Sequence, residues 1–197
     1  MSYFLSALIA YLIGCISGSF LISKIYYKED IRDKGSGNAG TTNMFRAYGK
    51  KAAVITFFID FLKGFFAVLS ASFIEPVYGP YIAGTFVIIG HVWPVFLGFR
   101  GGKGIASSIG VYAYHIPILA ALQGLIFFTI NASIKIVSLG SIVITILSLF
   151  YALIFHNDNH PLLIMIAVNV AIIIYSHRSN IKKLRSGKEE TTEFLKG

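Results

Sequence analysis

Apolar residues fill most of the chain in long stretches that are separated by short polar segments. The stretches cover residues 3–23, 52–74, 80–97, 105–114, 118–134, 136–155 and 161–176. A helix needs about 20 apolar residues to cross a bilayer, and most of these stretches come close to that length. The pattern therefore predicts an all-α, polytopic membrane protein in which residues 1–197 form a single domain.

The number of crossings depends on the short stretch 105–114. If it continues into the next stretch, the chain has six spans, and its basic tail, 177–197, lies across the membrane from the basic loop 24–51. That arrangement conflicts with the tendency of cytoplasmic loops to carry the excess of lysine and arginine. If the stretch crosses by itself, all basic segments lie on one side, and the outer turns contain neither Lys nor Arg. We therefore predict seven transmembrane helices, with the N-terminus outside and the C-terminus cytoplasmic.

Composition supports a membrane protein and limits the alternatives. The sequence is 55% hydrophobic and only 13% charged, which leaves too little polar surface for a soluble domain of this length. The net charge of +8 would be compatible with nucleic-acid binding. However, the basic residues are concentrated in the predicted cytoplasmic segments, where they would face anionic lipid head groups. We expect no nucleic-acid partner, and the lone cysteine, Cys15, excludes an intramolecular disulfide.

The first cytoplasmic loop combines glycines with neutral hydrogen-bond donors. Its segment 35–43 contains Ser36, Gly37, Asn38 and Asn43, and Arg46 follows. Glycines allow several backbone N–H groups to converge on one anion, and an arginine can bind phosphate bidentately. The spacing is not that of a P-loop, and a flexible linker is the alternative. The combination nevertheless favours an anion-binding loop.

A second glycine-rich segment, 90–104, ends the third apolar stretch. Within it, Gly101 and Gly102 precede Lys103, which lies just before a new predicted helix. Irregular backbone at membrane depth persists only where it is buried in protein or lines a polar cavity. A helix N-terminus beside a lysine favours phosphate, although the lysine could instead anchor the helix end at the head groups. His91 is compatible with helix packing and with catalysis.

His177 and Asn180 lie where the last apolar stretch leaves the membrane. If the helix continues, they share one face at positions i and i+3. His177 would then be suited to binding phosphate or to acting as a base. A basic helix end is the alternative; it explains Lys182 and Lys183 well but explains the His/Asn pair less well.

Two smaller features complete the set. Asp60 and Lys63 lie at i and i+3 inside the second stretch, where charges are costly, and we predict a structural ion pair. Ser138 begins the sixth helix on the cytoplasmic side. Because the three clusters end at the same membrane face, we predict one cytoplasmic site that binds phosphate groups and is open to lipid tails.

These residues resemble the PlsY family, the bacterial acyl-phosphate:glycerol-3-phosphate acyltransferases. The resemblance covers essentially the whole chain and rests on segment 35–43 with Arg46, segment 90–103, and His177 with segment 180–187. It implies a compact seven-helix fold in the bacterial cell membrane. It also implies transfer of an acyl group from acyl phosphate to the 1-hydroxyl of glycerol 3-phosphate. The products would be lysophosphatidic acid and phosphate, in the first acylation step of phospholipid biosynthesis, and no metal or other cofactor is implied.

With this resemblance, we assign roles to the matching residues. The expected catalytic residues are His177, Asn180, Lys103 and Ser36, and the expected phosphate-binding residues are Gly37, Asn38, Asn43, Arg46, Gly101, Gly102 and Ser138. Acyl phosphate is already activated, so the enzyme mainly positions two phosphorylated substrates and neutralises charge. We expect direct attack by the glycerol hydroxyl, with either His177 or a substrate phosphate oxygen as the base. We also expect a monomer surrounded by membrane lipids.

Two other classes of protein are compatible with parts of this pattern. A transporter of phosphate or organic anions would use a similar basic site that opens to both membrane faces. The absence of internal sequence repeats and of outer-face lysine or arginine argues against it. A lipid-binding scaffold would not need histidine or lysine in glycine-rich surroundings.

Overall fold

The computed structural model describes residues 1–192, and all regular structure in that range is helical. The α-helices are α1 (Ser2–Cys15), α2 (Gly18–Tyr26), α3 (Thr41–Ile74), α4 (Gly79–Val92), α5 (Ile105–His115), α6 (Pro117–Ile134), α7 (Val137–Phe155), α8 (His160–Ser176) and α9 (Arg178–Arg185). Two 3-10 turns, Ile31–Asp33 and Val95–Leu97, lie in the loops before α3 and after α4. The last part of the predicted tail, residues 193–197, lies outside the described residues.

In the described part of the chain, five segments are long and apolar enough to cross a membrane, and α8 with α9 makes a sixth. Helix α5 is separate from α6, because Ile116 has non-helical backbone angles (φ −144°, ψ 78°) and Pro117 starts the next helix. The stretch 105–114 thus lies in a helix separate from the next one, as a separate crossing requires. With 11 residues, α5 is about 17 Å long, shorter than the roughly 30 Å core of a bilayer.

The first span is broken between α1 and α2, and a buried ion pair stabilises the break. Lys63 Nζ donates to the carbonyl oxygens of Gly14 (3.0 Å) and Ile16 (2.6 Å). The N–H of Gly18 donates to Asp60 Oδ1 (3.3 Å). Asp60 Oδ1 and Lys63 Nζ are 2.9 Å apart, which confirms the predicted pair. Because hydrocarbon offers no hydrogen bonds, the backbone groups freed by a break must be satisfied by the protein.

Helix α3 is kinked near its cytoplasmic end. Gly49 has a φ of 81° and a ψ of −173°, a conformation that glycine adopts without the steric penalty of a side chain. The kink separates the first turns of α3, which carry Arg46, from the part that crosses the membrane. Arg46 can therefore lie beside the loops rather than along the axis of the span.

Helices α1, α3, α4, α5 and α8 form the centre of the bundle. Helix α4 packs against α1, α3 and α8, α3 also packs against α5, and α6 lies at the edge between α5 and α7. Val87, Val111 and Ile166 are fully buried in this core. Large apolar side chains on the outer surface, such as Phe66 and Phe150, remain more than half exposed, as a surface facing lipid requires.

The N-terminus and Thr192, the last described residue, lie at opposite ends of the bundle. Near the N-terminus, the ring of Tyr3 lies 6.3 Å from the ring of Tyr78, in the turn before α4. His115, at the end of α5, stacks on Tyr81 at the same end of α4, with 4.9 Å between ring centroids. The C-terminal tail instead contacts the first turns of α3, at the end that carries the glycine-rich loops.

Candidate active site

The first glycine-rich loop is folded around the side chain of Asn43. Asn43 Nδ2 donates to the carbonyl oxygens of Ile31 (3.0 Å) and Lys34 (2.9 Å), and its Oδ1 accepts from the N–H of Ser36 (2.9 Å). The residue is only 1% exposed. Its amide is thus used in shaping the loop, while Ser36 is held at the exposed surface that lines the cavity.

Arg32 joins the first loop to the second. Its Nη1 donates to the carbonyl oxygen of Leu97 (2.8 Å), and its Nη2 pairs with Asp30 Oδ2 (2.8 Å). Hydrogen bonding to the Arg32 guanidinium lowers the pKa of Asp30 to about 2. Asp30 therefore stays ionised near neutral pH and orients Arg32 toward the second loop.

Two glycines of the second loop allow a close approach between chain segments. The N–H groups of Gly101 and Gly102 donate to the carbonyl oxygens of Val92 (3.2 Å) and His91 (3.1 Å). A Cβ atom on Gly102 would overlap both the His91 imidazole and the carbonyl oxygen of Ala39. Gly102 therefore permits the second loop to lie directly against the first.

The predicted phosphate-binding residues fall into two groups. Gly37 donates its N–H to Lys34 O (2.9 Å), so its backbone donor, like those of Gly101 and Gly102, is used within the loops. The described residues that line the cavity include Asn38, Asn43, Arg46 and Ser138, but none of these three glycines. The glycines thus shape the loops, and other residues face the cavity.

Helix α8 does not continue through His177 to Asn180, so the condition under which we placed these two residues on one helical face is not met. Helix α8 ends at Ser176, and α9 departs at a bend of 59°. His177 Nδ1 lies 2.8 Å from the carbonyl oxygen of Ile173, and the side chain is 2% exposed. The same carbonyl oxygen also accepts from the backbone N–H of His177 (3.1 Å), so both polar groups of this residue bond to the end of α8. Despite the bend, His177 and Asn180 both line the same cavity.

Lys103 connects the second loop to α9. Its Nζ donates to Asn180 Oδ1 (2.5 Å), and its carbonyl oxygen accepts from Ser176 Oγ (3.1 Å). Burial lowers the pKa of Lys103 to about 8, and the nearby Arg46 cation acts in the same direction, whereas Glu189 opposes it. Because its ammonium is poorly hydrated, Lys103 gains strongly from an anionic partner.

These residues surround one cavity of about 600 Å³. Its polar end brings together the four predicted catalytic residues, Ser36, Lys103, His177 and Asn180. Its apolar wall is formed by Val54, Phe57, Phe58, Ile109, Phe127, Phe128 and Val137. The site can therefore hold a ligand that has an anionic end and an apolar chain.

Several cavity residues were not identified from the sequence. Lys183, which we interpreted as part of a basic helix end, lines the cavity, as does Glu189 from the tail. Phe57 and Phe127 carry no signal of a site, because phenylalanine in a membrane helix usually faces lipid or core. His91 Nδ1 lies 2.7 Å from Lys63 Nζ, so this histidine belongs to the buried ion-pair cluster while also reaching the cavity.

The fold is that of an integral membrane protein, and the cavity, lined by both polar and apolar residues, lies at one end of its helical bundle. The family model described as glycerol-3-phosphate acyltransferase matches residues 4–187. The chain is 45% identical over 185 residues to the glycerol-3-phosphate acyltransferase of Thermoanaerobacter pseudethanolicus, which covers 94% of this chain and 93% of that protein.

Two crystal structures of PlsY, an integral membrane glycerol 3-phosphate acyltransferase, have closely similar folds. The glycerol 3-phosphate form has a TM-score of 0.92 at 38% identity, covering 99% of this chain and 98% of that one. The lysophosphatidic acid form has a TM-score of 0.88 at 36% identity, covering 99% and 97%. This chain belongs to the glycerol-3-phosphate acyltransferase family, the PlsY family, whose acyltransferase role lies in phospholipid biosynthesis.

Proposed function

We propose that this protein transfers a fatty acyl group from acyl phosphate to the 1-hydroxyl of glycerol 3-phosphate, releasing lysophosphatidic acid and phosphate. The observation that carries the proposal is the single cavity in which Arg46 and Lys103 lie at one end and a wall of phenylalanines lies along the other. Each substrate presents a phosphate, and one of them also carries an acyl chain. The cavity matches both requirements.

The polar end supplies donors for the phosphate groups. Arg46, Lys103 and Lys183 contribute positive charge, and Ser36, Ser138 and Asn180 contribute neutral hydrogen bonds. Charge-assisted bonds to phosphate are shorter and stronger than neutral ones. We assign Gly37, Gly101, Gly102 and Asn43 to holding the two loops that position these donors.

The apolar wall supplies the acyl site. Phe58 and Phe128 remain 53% and 66% exposed, so they face the lipid region as well as the cavity. An acyl chain in the bilayer can therefore extend along the wall while its phosphate reaches Lys103. The acyl chain therefore does not have to pass through the polar end of the cavity.

Because acyl phosphate is already activated, the proposed acyl transfer mainly requires that the two substrates be correctly positioned. The glycerol hydroxyl oxygen attacks the acyl carbonyl carbon, the carbon–oxygen bond to phosphate breaks, and phosphate leaves with the bonding electrons. Lys103 and Arg46 stabilise the charge that develops on the departing phosphate. Holding both substrates in one cavity makes the reaction effectively unimolecular.

The proton of the hydroxyl has two candidate acceptors. Because Ile173 O can only accept, the neutral His177 imidazole carries its proton on Nδ1, which leaves Nε2 free to accept. This tautomer supports His177 as the base. A phosphate oxygen of the substrate is the alternative, and a His177→Gln variant separates them, since it retains turnover only if the substrate takes the proton.

We also propose seven crossings, with the active site facing the cytoplasm of the bacterial cell. Because the N-terminus and Thr192 lie at opposite ends of the bundle, the chain between them crosses an odd number of times. Counting α5 as a crossing gives seven, and places every basic loop on one side. Single cysteines at Tyr78, His115 and Asn159, in a Cys15→Ser background, should label from outside intact cells, and one at Ser186 should not. Labelling at Ser186 from outside the cell would contradict the proposed orientation.

The decisive assay combines purified protein with acyl phosphate and glycerol 3-phosphate and measures lysophosphatidic acid. Acyl phosphate should support turnover, whereas acyl-coenzyme A and acyl-carrier protein should not. Turnover with acyl-coenzyme A alone would contradict the donor assignment. An anion transporter would instead move phosphate across vesicles without forming product, and a lipid-binding scaffold would do neither.

A further inference from the structure

The C-terminal tail folds back over the polar end of the cavity. After α9 ends at Arg185, the N–H of Lys188 donates to Lys183 O (2.9 Å), and the chain returns toward the site. Glu189 and Glu190 both line the cavity. Two consecutive carboxylates therefore lie among the cations and donors that we assign to phosphate.

Glu189 accepts hydrogen bonds from neutral donors at the polar end of the cavity. Its Oε1 accepts from Ser138 Oγ (2.7 Å) and from Asn180 Nδ2 (2.6 Å). Its carboxylate is also close enough to Lys103 to raise the pKa of that lysine against the effect of burial. These are the partners that the proposed reaction assigns to a phosphate group, and a carboxylate is a smaller anion with the same preference for donors.

Glu190 and Thr192 both bind the guanidinium of Arg46. Glu190 Oε2 pairs with Arg46 Nη1 (3.0 Å). Thr192 Oγ1 accepts from Arg46 Nε (3.2 Å) and Nη2 (2.9 Å), and the Thr192 N–H donates to Lys135 O (2.8 Å). With these contacts, the whole fork of Arg46 faces the tail instead of a ligand.

The fit of the tail is incomplete. Glu189 Oε2 is buried and has no hydrogen-bond partner within residues 1–192, which is costly for a carboxylate oxygen. The side chain of Glu190 is 59% exposed, and ion pairs at that exposure contribute little. A phosphate has more oxygens and more charge than a carboxylate, so it satisfies the same donors more fully. The tail is thus suited to be displaced by a ligand.

We infer that residues 189–192 form an autoinhibitory strap, in which Glu189 and Glu190 compete with phosphorylated substrates for Ser138, Asn180, Lys103 and Arg46. This inference rests on the proposed function, because it takes those residues as the phosphate site. Its consequence is that the apparent affinity for substrate is lower than the intrinsic affinity by the fraction of time the strap is released.

The test is the double variant Glu189→Gln/Glu190→Gln in the full-length chain. Glutamine keeps the size of each side chain and removes its charge. The KM for acyl phosphate, or for glycerol 3-phosphate, should fall by about three- to tenfold, as expected if the strap is released for roughly a third to a tenth of the time. The substrate whose KM falls more identifies the phosphate position that the strap covers.

The matched control is Asp33→Asn/Asp158→Asn, which removes the same charge from exposed positions outside the cavity. Its KM values should equal those of the wild type. An unchanged or raised KM in the glutamine variant would overturn the strap, because the tail would then be neutral or helpful to binding.

Direct binding of inorganic phosphate, measured by calorimetry, separates this inference from the proposed function. If the wild type has no acyltransferase activity but the glutamine variant binds phosphate three- to tenfold more tightly, the strap stands and the proposed reaction fails. If the wild type is active and both proteins bind phosphate equally, the reaction stands and the strap fails.

Discussion

Two polar clusters in this protein each contain buried or partly buried cations, but the groups that neutralise those cations differ. The inner cluster, Asp60, Lys63 and His91, lies inside the bundle, and its members are bonded to one another and to the broken backbone of the first span. The outer cluster, Arg46, Lys103 and Asn180, lies at the cavity mouth, and much of its bonding goes to two carboxylates of the tail. The inner cluster is completed by neighbours within the helices, and the outer one is completed by residues of the tail.

This difference separates structural charge from charge that binds a ligand. A charge inside the membrane is tolerated only when it is paired or faces a cavity, and the cluster around Lys63 meets that condition with fixed neighbours. Cations at the polar end of a cavity can instead be paired with any anion that enters it, whether a carboxylate of the protein or a ligand. Substitutions in the inner cluster should therefore lower stability, whereas substitutions in the outer cluster should lower substrate binding and turnover.

The largest effect is expected from Asp60→Ala. The substitution leaves Lys63 buried without its carboxylate, and breaking a buried pair on one side costs about 3–5 kcal/mol. We expect a marked loss of thermal stability in detergent and a low yield of folded protein. Asp158→Ala, in an exposed outer turn, is the control and should leave the melting temperature unchanged. A fully stable but inactive Asp60→Ala enzyme would instead assign this carboxylate to the chemistry.

Lys103→Ala should cut transfer by about ten- to a hundredfold, because it removes a charge-assisted hydrogen bond worth about 1.5–3 kcal/mol. The fold should survive, since Lys103 lies in a loop at the polar end of the cavity. The measurements are kcat/KM and the melting temperature of the same preparation.

Lys182→Ala is the matched control for Lys103. Lys182 is an exposed residue of α9 that is not among the described cavity residues, unlike its neighbour Lys183. Its activity should stay near that of the wild type. If Lys182→Ala loses activity while Lys103→Ala retains it, the second glycine-rich loop is only a connector.

Arg46→Lys should have a smaller effect, about a tenfold loss of kcat/KM. Lysine retains the charge but cannot reproduce the planar fork that binds two phosphate oxygens at once. The loss should appear mainly in KM, since the variant still supplies a cation. Wild-type kinetics in this variant would show that Arg46 acts only as a point charge.

The smallest effect is expected from pH. Because the pKa of Lys103 lies at about 8, its ammonium is present below that pH and is lost above it. The affinity for inorganic phosphate should therefore fall several-fold between about pH 7 and about pH 9.5. Lys103→Arg, whose guanidinium stays protonated, should show no such decline. An equal decline in both proteins would assign the titration to another group.

Much of the architecture was predictable because it depends on local sequence. The apolar stretches correctly located the long helices, and stretch 105–114 forms a helix separate from α6. The ion pair of Asp60 and Lys63 followed from their spacing and from the cost of isolated charges in a membrane. The three polar motifs were recognisable because glycine, lysine and histidine at helix ends have few structural uses.

Other features depend on contacts between distant parts of the chain. The break at Ile16 exists because Lys63, far along the sequence, replaces the missing backbone hydrogen bonds. The bend at His177, the phenylalanine wall and the lining role of Lys183 likewise depend on which helices become neighbours.

By itself, the sequence determined that the chain is a helical membrane protein with its basic, glycine-rich motifs in the connecting loops, because hydrophobicity and glycine content are properties of short segments. Only the tertiary structure decided which donors meet. It showed that Glu189 accepts hydrogen bonds from Ser138 and Asn180, and that Asn43, although it lines the cavity, uses its amide to shape a loop. A hydrogen bond needs its two atoms within about 3 Å, and only the packing of the helices brings such atoms together.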